Sequence, residues 1–152
     1  MSVLVDTSCL LRLTSPDDPR AAATQAALDR LTDAGEMPCA APQNFVEFRS
    51  VATRPLNVNG LGLTIAEVDA ELDRFGLLFP LLPEDRFYPV WRDLCRRAGV
   101  SGEQVHDTRL VAVCVVSGIG TVLTWNPTDF TRFMPLVPGL TILTPADVLA
   151  AP

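Results

Sequence analysis

The stretch that most restricts the fold runs from Val105 to Phe130, V-H-D-T-R-L-V-A-V-C-V-V-S-G-I-G-T-V-L-T-W-N-P-T-D-F. Its first half places Leu110, Val111, Cys114, Val115 and Gly118 three, four, seven, eight and eleven residues beyond Asp107. That is helical spacing, and it predicts a core stripe headed by a carboxylate. Ala112, Val113 and Val116 fill the other side, so the helix is expected to be buried nearly all round. An acid at the head of such a stripe is costly unless something compensates it. Gly118 and Gly120 end the helix, and Thr121–Thr124 is a short β-branched run of the kind found inside a sheet. Asn126, Pro127 and Asp129 follow at once. A second acid therefore stands just beyond a buried strand, where open α/β sheets bind ligands.

The rest of the chain repeats this alternation. Ser2–Asp6 reads as a central parallel strand ending in a carboxylate, and Thr7 and Ser8 begin a helix through Leu10, Leu11 and Leu13. Asp18-Pro19 opens a second helix that Gly35 stops. Met37–Ala41 reads as a strand, and Pro42 starts a helix carrying Phe45, Phe48 and Ala52 on one stripe, with Glu47 on the same helix. R-P-L-N-V-N-G-L-G at Arg54–Gly62 is turn-rich and breaks the pattern. Thr64-x-x-Glu67 is a capping box heading an amphipathic helix. Phe79–Leu82 is expected to be extended, and Pro89 to lead a helix with Val90, Trp91, Leu94, Cys95 and Ala98 inward. Leu140–Leu143 reads as a last strand, followed by a capped helix from Thr144. Strands and helices in alternation predict a mostly parallel α/β sheet covered on both faces. At 152 residues, one domain spanning 1–152 is expected.

Composition narrows the function classes. The net charge of −6 offers no global basic footprint for nucleic acid, which leaves room only for a local, catalytic contact. All 12 basic residues are Arg, which removes every mechanism that needs a lysine. A haloacid-dehalogenase-type phosphatase and a response-regulator receiver both need one, and Ser8 stands where the phosphatase needs a second Asp. Cys9, Cys39, Cys95 and Cys114 form no C-x-x-C pair and read as buried free thiols. No apolar run is long enough to span a bilayer, and no charged segment precedes the first apolar run, so a cytoplasmic location away from membranes is expected.

Four acids carry the chemistry. Asp6 and Asp129 follow strands, Asp107 heads a core helix, and Glu47 lies on a helix that follows a strand. In a parallel sheet such positions can converge at one edge. Carboxylates gathered without a cation raise one another's pKa values, and a hard divalent ion with oxygen ligands relieves this. Each acid also has a local structural reading. Asp6 fits a helix N-cap, Asp129 a first-turn acid beneath the Asn126 cap, Asp107 an answer to the helix dipole, and Glu47 a solvated surface acid.

V-L-V-D-T at Val3–Thr7, N-F-V-E-F at Asn44–Phe48, V-H-D-T-R-L-V-A at Val105–Ala112 and L-T-W-N-P-T-D-F at Leu123–Phe130 occur in order along the chain. With these motifs the sequence resembles PIN-domain ribonucleases, and among them the VapC toxins of type II toxin–antitoxin systems. The resemblance covers essentially the whole chain, R-P-L-N-V-N-G-L-G included. It implies a PIN-like three-layer α/β/α sandwich with a sheet of four to five strands. It implies that Asp6, Glu47, Asp107 and Asp129 form an acidic site for Mg²⁺, or Mn²⁺, with Asp6 and Asp107 the most direct ligands. Thr7 and Asn126 match polar helpers of that site. The implied activity is metal-assisted endonucleolytic hydrolysis of RNA leaving a 5′-phosphate and a 3′-hydroxyl. The implied partners are a VapB-like antitoxin, an RNA substrate and a second copy in a homodimer. Trp125, where a smaller or Phe-like residue is expected, and Thr108, where Ala is common, depart from the pattern. Arg49, Arg54, Arg109 and Arg132 are candidate phosphate contacts or ordinary ion-pairing arginines. His106 is given a structural or gating role rather than that of a base. The rival reading is a PIN-fold binding module without catalysis, and the presence of all four acids argues against it.

Overall fold

The structure, a computed structural model, describes residues 1–152. Four short strands, β1 (Ser2–Val5), β2 (Met37–Cys39), β3 (Thr121–Leu123) and β4 (Thr141–Leu143), form one sheet in the order β2-β1-β3-β4. Every pairing is parallel, with Val5 opposite Leu123 and Leu4 opposite Cys39. Six helices connect them, α1 (Thr7–Leu13), α2 (Pro19–Asp33), α3 (Pro42–Ala52), α4 (Ile65–Leu78), α5 (Phe87–Ala98) and α6 (Gln104–Ser117), and α7 (Pro145–Ala150) follows the last strand.

Side chains alternate across the sheet, because successive Cβ atoms of a strand point to opposite faces. Val3, Val5 and Leu123 enter one core with Phe48 of α3, Phe75 of α4 and Val148 of α7. Leu4 and Val122 enter a second core with Leu94 of α5 and Leu110–Cys114 of α6. Two cores on the two faces make the three-layer α/β/α sandwich that the sequence predicted. The Thr64–Glu67 capping box forms, with both reciprocal bonds at 3.1 Å. Phe79–Leu82 is extended as expected and touches the sheet edge through a parallel bridge between Ala40 and Leu81.

Two expectations are corrected. Val115, placed on the core stripe, is 38% exposed. The sheet and α5 cover only part of the α6 circumference, and Val115 falls in the open sector, beside Val90, Leu136 and Val137 in a shallow hollow. Helix α5 starts at Phe87, two residues before Pro89. The first four N–H groups of a helix have no intrahelical acceptor, so a proline in the third position costs no hydrogen bond.

This topology creates the site. All four strands end at the same edge, so Asp6 after β1 and Thr124 after β3 emerge side by side. Helix α6 leads back into β3 and so runs against the strands. Its first turn, with Asp107, therefore comes to the carboxyl edge. Gly118 closes α6 with φ +69°, a left-handed conformation that glycine adopts without a steric penalty. No helix is long and apolar enough to cross a membrane.

Candidate metal centre

Asp6 is the most enclosed of the four acids, 7% exposed. Two hydroxyls donate to its Oδ2, Ser8 Oγ at 2.8 Å and Thr124 Oγ1 at 2.8 Å. Neither hydroxyl bond falls on Oδ1. Burial raises the Asp6 pKa, and the Thr124 and Ser8 hydroxyls oppose the rise. Asp6 stands at the N-cap of α1, and the backbone N–H groups of Thr7 and Ser8 also oppose the rise, although no full capping bond forms. Ser8 and Thr124 are themselves anchored. Ser8 Oγ accepts from the Trp125 N–H at 3.0 Å, and Thr124 Oγ1 accepts from the Asn126 N–H at 2.9 Å. Trp125, the unexpected bulky residue, donates its indole N–H to Thr24 Oγ1 at 2.9 Å and packs against the first core.

Glu47 is half-buried, and it is not the freely solvated acid that its local sequence also allowed. Burial raises its pKa. The Gln43 amide opposes this, Asp6 adds to it, and His106 lowers it. Gln43 lies one helical turn earlier and is 8% exposed. Its Nε2 donates to Glu47 Oε1 at 2.7 Å and to the His106 carbonyl at 2.8 Å. One amide thus ties α3 to the first turn of α6. Its Oε1 is buried without a partner.

Asp107 is half-buried, and its pKa is pushed up to about 7. Burial is the largest cause, followed by repulsion from Asp129, Asp6 and Glu47, while Arg132 opposes the rise. Three acids far apart in sequence therefore act on one carboxyl group through space. Asp129 is exposed, in a 3₁₀ turn at Pro127–Asp129. Asn126 heads that turn without a side-chain capping bond and is exposed. Thr7 is buried and faces α3, where its Oγ1 accepts from Asn44 Nδ2 at 3.1 Å. His106 is exposed, and its backbone carbonyl is the group engaged, by Gln43.

A cavity of about 660 Å³ adjoins the acids. Gln43, Glu47, His106 and Asp107 line it together with Arg54 and Arg109. Asp6 and Asp129 lie outside its lining.

The donor set suits a hard divalent cation. It offers carboxylate oxygens and a mutual repulsion that positive charge would relieve. No three acid, histidine or cysteine side chains stand in an arrangement that could hold an ion unaided. Mg²⁺ does not need such a cage, since it is held through one or two carboxylates and keeps its waters. The four cysteines are free thiols, three of them buried as expected, whereas Cys95 is only partly buried.

Sequence reasoning did not single out Ser8, Thr124 or Gln43 as site residues. Gln43 had a legible signal, because it stands four residues before Glu47 on a helix. The two hydroxyls had none, because their role depends on the register that sets Val5 beside Leu123.

No protein-family model matches the sequence, and no curated protein matches it. Solved structures share its fold. VapBC2 from Rickettsia felis, bound to a DNA fragment from its promoter, superposes with a TM-score of 0.69 at 13% identity, over 95% of this chain and 98% of that one. FitAB bound to an IR36 DNA fragment gives 0.57 at 15% identity over 94% of each chain. FitAcB from Neisseria gonorrhoeae gives 0.57 at 16% identity, over 95% and 98%. At these identities the likeness is one of fold.

Proposed function

We propose that the chain is a single-domain, VapC-like toxin, a divalent-metal-dependent endoribonuclease restrained by a VapB-like antitoxin. One observation carries this reading. Asp6, Glu47 and Asp129, from three different elements, all raise the pKa of Asp107 from a fourth. Without a ligand such a gathering only destabilises the fold, so its natural occupant is a cation. The shared fold of VapBC2 and FitAB over nearly the whole chain supports the toxin assignment and its antitoxin partner.

In this reading Asp6 and Asp107 hold Mg²⁺ or Mn²⁺, and Glu47 and Asp129 complete the negative field. When bound, the ion lowers the pKa of water and neutralises charge on a phosphodiester. The chain's own residues supply orientation. Ser8 and Thr124 fix the Asp6 carboxylate by its Oδ2, so that Oδ1 keeps one direction. Gln43 holds Glu47 against the cavity wall. Asp107, raised to about 7, exchanges protons near neutrality and can take one up while the cation is not in place. Thr7 supports α3 through Asn44, and Asn126 heads the turn that carries Asp129. RNA is the substrate class, and the chain works in the cytoplasm as a homodimer.

The test is induced expression with mapping of RNA ends, using Asp6→Asn as the control. The native chain is expected to arrest growth and leave discrete cuts with 5′-phosphates, and the variant to do neither. Equal toxicity from both would sink the assignment.

A further inference from the structure

The four arginines singled out in the sequence are not equivalent in the fold. Arg49 is paired with Asp69. Arg109 donates to Glu84 at 2.9 Å and lies 4.5 Å above the Phe87 ring. Arg132 donates to Gln104 Oε1 at 2.7 Å and lies outside the cavity lining. Arg54 is exposed, has no carboxylate partner, and lines the same cavity as Glu47 and Asp107. Its one side-chain bond goes to Ser50 Oγ, at 3.2 Å.

The backbone beneath Arg54 is clamped. Its carbonyl accepts from the Gly62 N–H at 2.8 Å, and its N–H donates to the Val51 carbonyl at 3.2 Å. The chain returns so closely at Gly60 that a Cβ there would sit 2.1 Å from the Arg54 carbonyl oxygen and 2.3 Å from its Cβ. Only glycine permits that approach. The R-P-L-N-V-N-G-L-G segment thus fixes the backbone from which one guanidinium reaches the cavity rim.

We infer that Arg54 is a backbone-phosphate contact for the nucleic-acid strand that the acidic site acts on, held in place by the Gly60 turn. The inference rests on the ribonuclease reading. A polyanion must approach four acids on a chain of net charge −6. Glu84 already neutralises Arg109, so the uncompensated cation of the cavity wall is Arg54. Phosphate contacts of this kind position a strand without reading its sequence. A cavity of about 660 Å³ has room for part of that strand.

The experiment measures binding of a labelled single-stranded RNA of mixed sequence to Asp107→Asn protein by anisotropy, between about 50 and 200 mM salt. Arg54→Gln in that background should weaken binding and lower the slope of log affinity against log salt by roughly 0.7, the loss of one single-strand phosphate contact. Arg54→Lys should keep the slope, and so should Arg49→Gln. An unchanged slope for Arg54→Gln, an equal fall for Arg49→Gln, or no RNA binding by the parent would each overturn the contact. The two readings fail separately. Native protein that binds RNA with an Arg54-dependent slope but leaves it intact in Mg²⁺ would refute the nuclease and keep the contact. Protein that cuts RNA while Arg54→Gln keeps the parent slope would do the reverse.

Discussion

The hydroxyl of Thr124 and the carboxylate of Asp6, 118 positions apart in the chain, meet at 2.8 Å across the ends of two neighbouring parallel strands. This bond locks the most buried acid in one orientation and ties the site to the centre of the sheet. Thr124→Val keeps the shape of the side chain and removes the donor. It should cost about 1–3 kcal/mol of stability, the penalty for leaving a buried acceptor short of a partner. Urea denaturation measures this. A stability equal to that of the native chain would show that the bond does not restrain Asp6.

The charge cluster makes a prediction about pH with a definite sign. Without a cation, Asp107 binds its proton more tightly in the folded chain, with its pKa raised from 3.8 to about 7. The stability that this group contributes is full below about pH 4 and is lost as pH rises through about 7. In EDTA, the melting temperature of the native chain should fall over that window by more than that of Asp107→Asn. Mg²⁺ should restore more stability at pH 7.5 than at pH 5, because it binds the ionised form. Parallel curves for the two proteins would show that the other acids do not act on Asp107.

Gln43→Leu tests the amide that joins Glu47 to the His106 carbonyl. The variant leaves both acceptors unpaired and lets Glu47 swing from the cavity wall. Supporting residues of this kind typically change metal affinity about 10–100-fold. The concentration of Mn²⁺ that gives half-maximal RNA cleavage should rise accordingly. Gln43→Glu would add a fifth acid to the cluster and should weaken cleavage further at low metal concentration.

Phe48 anchors α3 from the face opposite the cavity, in edge-to-face contact with Phe75 at 5.1 Å. Both rings are fully buried. Phe48→Ala should cost about 3–5 kcal/mol by denaturant titration. A loss under about 1 kcal/mol would mean that α3, and Glu47 with it, is positioned by something other than this core.

The layers of the fold were legible because each strand was a short apolar run bounded by Gly, Pro or a capping residue. The acids were legible because each stood where such a run ended or a helix began. Contacts between elements were not. Ser8 and Thr124 are ordinary helix-start and strand-end residues until the β1–β3 register brings them together. Glu47 reads equally well as a surface acid until Gln43 and the first turn of α6 enclose it. Val115 obeyed the helical period and is still exposed, because periodicity marks a face of a helix and not what covers it. The four arginines were alike on paper, and only their partners and their places around the cavity separate Arg54 from the rest.

Whether these carboxylates hold a divalent cation is tested by calorimetric titration of Mn²⁺ into the purified chain at pH 7.5. Saturable binding is expected of the native protein and severely weakened binding of both Asp6→Asn and Asp107→Asn, with all three proteins folded by circular dichroism. Native protein that takes up no Mn²⁺, or variants that bind it as tightly as the native chain, would contradict cation binding by these carboxylates.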